Sequence, residues 1–289
     1  MDAVVLAALA GASFGTLAVA VRWGLRHCAD PEVGALVATT LGVVASATVA
    51  APSAAAQGVD VGELWPFFTA GLIAPGASQI FLTLAVRDAG PSRAAIFMGT
   101  APLMSILIAL TLLGEPFRPL LVVGTVLIVL GGAALARERT RPEHFRVRGV
   151  ALALLCAALF AGRDNIVRSA ARDTHPPPLA AATASLLAAA ALILVYLVLV
   201  RRDRLRIPVP QALLAFAPAG LALALGYATL LAAFDHGQVS VVSPLNATGS
   251  LWAVLFAAMV IGRSEGIGRR TILAALLIVA GGALISALR

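Results

Sequence analysis

Apolar residues run along this chain in long stretches separated by short polar joints. Ten stretches are long enough to cross a bilayer as helices, which takes about 20 apolar residues each. They lie at roughly 3–21, 33–51, 65–86, 92–113, 117–136, 149–167, 178–200, 211–234, 239–262 and 270–288, numbered here span 1 to span 10. These stretches are apolar on all sides, whereas a transmembrane barrel alternates apolar and polar positions over segments of about ten residues. The pattern predicts an all-α integral membrane bundle with almost no chain left for a soluble domain. Composition agrees, since 60% hydrophobic and 12% charged residues over a length of 289 is too apolar for a soluble fold. Span 1 opens on Asp2 instead of basic residues and has the length of a full crossing, so it reads as a retained helix and not a cleaved signal.

The pattern also repeats. Val21-Arg22, Arg26 and Pro31 return as Val167-Arg168, Arg172 and Pro177, and Val129-Leu130-Gly131-Gly132-Ala133 returns as Val279-Ala280-Gly281-Gly282-Ala283. Two five-span repeats follow, at 1–141 and 142–289. An odd number of crossings per repeat makes the second copy enter the membrane upside down. Inverted repeats enclosing a solute path are a secondary-transporter architecture.

Charge supports the inversion. Loop 2/3 has no Arg, while its counterpart 7/8 carries Arg201, Arg202, Arg204 and Arg206; loop 4/5 has Arg118 against Arg263, Arg269 and Arg270 in loop 9/10; loop 3/4 has Arg87 and Arg93 against none in loop 8/9. Loops 1/2 and 6/7, with two Arg each, are the exception. All 21 basic residues are Arg, and most lie on the face of loops 1/2, 3/4, 5/6, 7/8 and 9/10. The positive-inside rule makes that face cytoplasmic and leaves both chain ends outside. The net charge of +7 is read as orienting charge in contact with lipid head groups, not as a nucleic-acid surface.

Several short motifs recur in order in both halves: Ala89-Gly90-Pro91-Ser92, Ala101-Pro102-Leu103, Gly114-Glu115 and Gly131-Gly132, then Gly237-Gln238-Val239-Ser240, Ser250-Leu251, Glu265 and Gly281-Gly282. In this order the whole chain resembles the EamA-type ten-helix members of the drug/metabolite transporter superfamily. Ser250 stands where the family has Pro, and Arg263-Ser264 interrupts the usual Gly-Glu. The resemblance implies a basket in which spans 1, 3, 4, 6, 8 and 9 line a central cavity and spans 5 and 10 lie to one side. It also implies small-metabolite substrates, with amino acid export frequent, and both ends in the cytoplasm, opposite to the arginine count.

Polar side chains inside a bilayer are costly and so are the first candidates for function. Aligning the halves pairs Gln79 of span 3 with Tyr227 of span 8, Met98 of span 4 with Asn246 of span 9, and Thr100 with Thr248. Repeat symmetry sets these positions near the midplane, where amide, phenol and hydroxyl groups could bond a zwitterion. The competing reading is interhelical bonding, with Thr bonding back to its own helix. Arg163-Asp164-Asn165 is the charged cluster within a span. Asp164 and Arg168, four apart, share a helix face and are expected to neutralise one another, with Arg163 turned away. Arg163 would receive a substrate carboxylate at the cavity mouth, or snorkel to the interface, placed about four residues or 6 Å beyond it. Trp252 is a candidate cavity wall, while Trp23 and Trp65 read as interface anchors. Pro75, Pro102, Pro218 and Pro244 are candidate bends, and Gly11 and Gly15 are spaced for close helix contact.

The chain lacks GxxxxGK, HExxH and CxxC, so catalysis, ATP hydrolysis, a metal centre and a bound cofactor are not expected. The expectation is a monomeric multi-pass transporter of the inner (plasma) membrane. It would contact lipid and move small polar metabolites, amino acids above all, outward by alternating access without ATP. Asp164 is the only acid inside a span, toward its end, and the other acids fall in loops or ends; no carboxylate is expected at the membrane centre, which favours a facilitator or exchanger over a proton-coupled pump. The alternatives are a drug or cation efflux antiporter, and a non-transport intramembrane or lipid-handling protein.

Overall fold

The computed structural model describes residues 2–27, 30–57, 60–89, 97–136, 147–202, 209–261 and 269–287. The repeat boundary at 141/142, the loop residues Arg93, Arg204, Arg206, Arg263 and Glu265, and the Gly90-Pro91-Ser92 turn lie outside them. Every regular element among the described residues is helical. Among the described residues, five helices are long and apolar enough to cross a membrane on their own: Ala3–Leu25, Pro31–Pro52, Val147–Ala170, Pro178–Val200 and Pro210–His236, which are spans 1, 2, 6, 7 and 8. Spans 5 and 10 are the shorter apolar helices Pro119–Ala136 and Arg269–Ala287.

The remaining three spans are broken. Span 3 runs as Trp65–Gly71, a π-helical turn Leu72–Ala77, and Ser78–Ala89. Its break falls at Ala74, whose backbone is extended (φ −146°, ψ 123°), as a residue before proline prefers. Span 4 turns at Gly99-Thr100 before the helix Ala101–Leu112. Span 9 is Val239–Asn246, a turn at Ala247-Thr248, and Gly249–Ile261. The turns in spans 4 and 9 fall at matching positions of the two repeats and use the same bonds. Thr100 N–H donates to the Phe97 carbonyl and Thr248 N–H to Leu245, both at 3.1 Å. The Thr100 and Thr248 hydroxyls donate to those same carbonyls at 2.6 and 2.7 Å. Of the four prolines expected to bend helices, Pro218 sits within the continuous helix Val209–His236. Pro102 occupies the first turn of a helix, where its missing N–H costs nothing.

Packing follows the duplication. Span 1 lies on span 8 as span 6 lies on span 3, span 1 meets span 9 as span 6 meets span 4, and span 2 meets span 8 as span 7 meets span 3. Spans 2 and 7, 4 and 9, and 5 and 10 meet their own counterparts. Such pairing is a two-fold exchange of the halves, and five crossings per half put its axis in the membrane plane. Close approaches depend on small residues. A Cβ on Gly15 would come within 2.6 Å of Trp252 Cβ, and one on Gly11 within 3.0 Å of Thr248 Oγ1, so span 1 presses directly on the turn of span 9. Polarity is inverted relative to a soluble protein. Leu107, Leu112, Leu199 and Leu221 are exposed on the outside, where lipid takes the place of water, and the charged run of span 6 is inside.

Candidate substrate site

Span 6 extends from Val147 to Ala170, beyond the end expected at 167. Arg163 is thus seven residues, about 10 Å, from the helix end, and at 3% exposure it does not snorkel. Asp164 is 3% exposed, Asn165 5% and Tyr227 2%, so the bundle encloses a polar cluster, and contrary to expectation a carboxylate lies inside it because the helix continues past 167. Arg163 Nε lies 2.8 Å from Asp164 Oδ1, and Arg163 Nη1 donates to the Tyr227 hydroxyl at 3.1 Å. The guanidinium also lies 5.3 Å from the Phe160 ring centre and 5.4 Å from that of Tyr227. Phe14 of span 1 meets Tyr227 edge-on at 5.7 Å and closes the other side. Ser105 of span 4 donates to Asp164 Oδ2 at 3.3 Å, and Ser243 of span 9 lies beside the same carboxylate. Asn165 Nδ2 donates to the Ser105 and Ala161 carbonyls at 3.1 and 2.8 Å. Spans 4, 6, 8 and 9 therefore converge on one ion pair.

The cluster is incompletely satisfied. Arg163 Nε and Asp164 Oδ1 attract as charges but are not aligned as donor and acceptor, and neither has a hydrogen-bond partner among the described residues. Asn165 Oδ1 and Asn246 Oδ1 are also buried without one. Buried polar groups are nearly always bonded, so these unbonded atoms make the cluster a candidate site for a polar ligand.

The expected pairing of Asp164 with Arg168 is not formed. Arg168 Nη1 instead donates to the Phe234 and Asp235 carbonyls at 2.8 and 3.3 Å. These are among the last carbonyls of the span 8 helix, which have no intrahelical donor and attract a cation. Asp164 is left to Arg163, whose long side chain folds back to its neighbour.

The other expected residues divide. Asn246 sits at the turn of span 9, with Met98 at the matching turn of span 4. Both threonines spend their hydroxyls on their own helices. Trp252 packs on Gly15 and stacks on Phe256 at 5.7 Å. Gln79 does not accompany Tyr227, and lines a narrow crevice with Glu32, Ala35, Ile193 and Tyr196 of spans 2 and 7. The π turn at 72–77 supplies the physical reason, because an inserted residue rotates everything after it about the helix axis, and span 8 has no such turn.

Glu115 falls in loop 4/5 by the hydrophobic pattern, which marks no role for it. Glu115, 7% exposed, receives the Val239 N–H at 2.9 Å, the Ser240 N–H at 3.1 Å and the Ser240 hydroxyl at 2.8 Å. It caps the first helix of span 9 from the opposite repeat. Gly114, at φ +64°, ends span 4 in the left-handed conformation that glycine tolerates and aims the next residue there. The signal was present as the Gly114-Glu115 motif.

A buried polar cluster between two discontinuous helices of an inverted repeat is an arrangement that suits a membrane transporter. The chain matches the EamA-like transporter family over residues 1–136 and 147–287, and it belongs to that family of the drug/metabolite transporter superfamily. A solved crystal structure superposes on it with a TM-score of 0.81, covering 99% of this chain and 96% of that one at 24% identity, a likeness of fold. A search of curated proteins found no match.

Proposed function

We propose that this protein exports small zwitterionic metabolites, amino acids first among them, across the inner (plasma) membrane by alternating access, without ATP. The observation that carries the reading is the Arg163–Asp164 pair, held at 2.8 Å with both facing atoms lacking hydrogen bonds. A zwitterion has the charges to replace each member of that pair. Its carboxylate meets the guanidinium in a two-pronged geometry, and its ammonium meets Asp164 with Ser105 and Ser243 beside it. The side chain of the solute would lie toward Asn246 and Met98 at the turns of spans 4 and 9.

The driving force proposed is the gradient of the solute itself. Asp164 is matched by a fixed cation one residue away, so the site as a whole is neutral and favours a neutral guest. The matching turns in spans 4 and 9 supply equivalent flexing points on the two sides of the axis, which suits rocking of one half against the other. The test is uptake of a panel of radiolabelled amino acids, sugars and organic cations into liposomes containing the purified protein, with and without a pH gradient. Equilibration of zwitterionic amino acids, unaffected by the gradient, is expected. Absence of amino acid flux rejects the substrate class, and accumulation driven by the pH gradient rejects the facilitator mechanism.

A further inference from the structure

At the end of the bundle that carries the N-terminus, a cleft of about 440 Å³ opens between span 1, loop 4/5 and the joint of spans 8 and 9. Its size is that of a small-molecule site. Asp2 and Val4 line it from span 1, Arg118 from loop 4/5, and His236, Gln238 and Val241 from the joint. One carboxylate and one guanidinium thus come from different elements, and an amide and two apolar valines line the same cleft. Asp2 is anchored, since its Oδ1 receives the Val4 N–H at 3.1 Å.

The cleft is joined to the ion-pair cluster by the helices that line it. Span 9 starts at Gln238 and Val241 and reaches its turn at Asn246, eight residues or about 12 Å from Gln238. Span 1 runs from Asp2 to Gly11, which presses on that same turn. His236 adjoins Asp235, whose carboxylate lies 2.7 Å from His175 Nδ1, and whose carbonyl receives Arg168 of span 6. Span 6 is the helix that carries Arg163 and Asp164, so the wall of the cleft is bonded to the helix that holds the closed site.

We propose that this cleft is a vestibule, a second binding site that takes an amino acid zwitterion at one mouth of the path to the closed site. The carboxylate of the solute bonds Arg118, its ammonium faces Asp2, and a small apolar side chain rests on Val4 and Val241. The proposal rests on the zwitterion reading above and adds to it a stoichiometry of two.

Equilibrium binding of radiolabelled leucine to the full-length protein in lipid nanodiscs tests it. Two molecules per chain are expected for the unaltered protein. Arg118→Gln and, separately, Gln238→Ala are expected to lower the affinity of one site about tenfold, the loss of one charge-assisted or neutral hydrogen bond. Arg163→Gln is expected to abolish the other site and leave the vestibular one. Because Arg118 is exposed and Gln238 caps nothing through its side chain, both variants are expected to fold, which their melting temperatures check. A single site in the unaltered protein that vanishes with Arg163→Gln overturns the vestibule and leaves the zwitterion reading intact, as does binding untouched by Arg118→Gln and Gln238→Ala. A protein that binds no amino acid at all overturns both.

Discussion

Where span 6 carries Arg163-Asp164-Asn165, span 1 carries Leu17-Ala18-Val19 at the matching positions. Their surroundings differ in the same sense. Ser105 and Ser243, beside the charged run, correspond by residue count to Ala253 and Ala95 in the other repeat. The backbone framework is nevertheless shared, down to the hydrogen bonds of the turns in spans 4 and 9. Duplication therefore supplies a symmetric frame with two equivalent flexing points, while the polar chemistry has settled on one side of the axis. Apolar packing tolerates that asymmetry, because an apolar residue at any one position asks little of its counterpart. A buried ion pair does not, because each charge requires its partners within a few ångströms.

The comparison can be broken at several points, and the largest effect is expected at the pair itself. Removing one member, as in Arg163→Met or Asp164→Leu, leaves a buried charge unpaired and is expected to cost about 3–5 kcal/mol of stability. The double replacement Arg163→Met with Asp164→Leu makes span 6 resemble span 1 and is expected to restore most of that loss, as measured by thermal melting in detergent. Next comes Tyr227→Phe, which deprives the guanidinium of a hydrogen bond worth roughly 1.5–3 kcal/mol and should raise the apparent KM for amino acids at least tenfold. Glu115→Ala uncovers the Val239 and Ser240 N–H groups and is expected to cost about 1–2 kcal/mol, visible as a lower melting temperature. The smallest effects belong to the matched turns. Thr100→Val and Thr248→Val each remove one back-bond to the same helix and are expected to change stability equally, by about 0.5 kcal/mol; clearly unequal losses would show that the frame is less symmetric than its hydrogen bonds.

Much of this was legible in one dimension. Ten spans and their duplication are carried by hydrophobicity and by the return of Val-Arg and Gly-Gly motifs, and both survive translation into three dimensions because lipid acts on every span alike. Arg163 and Asp164 stood out as charges in an apolar run. Their partners did not. Helical spacing joins Asp164 to Arg168, yet spacing along one helix says nothing of the orphan carbonyls that the end of span 8 brings to Arg168. Gln79 was paired with Tyr227 by counting residues, and the count fails once the π turn before it rotates the helix. Ser105 and Ser243 gave no signal because a lone serine in a membrane helix ordinarily bonds its own backbone. Orientation is a separate matter, on which the arginine distribution and the family pattern give opposite signs. A single cysteine at the exposed Val61 in loop 2/3, labelled in intact cells by an impermeant maleimide, decides between them: labelling supports the arginine distribution, and protection supports the family pattern.

The account turns on a solute path that depends on a charge pair belonging to one repeat alone. Amino acid uptake by proteoliposomes containing the folded double variant Arg163→Met, Asp164→Leu tests this most directly. Flux at the level of empty liposomes is the predicted result. Flux equal to that of the unaltered protein would contradict it, and would place the path elsewhere in the bundle.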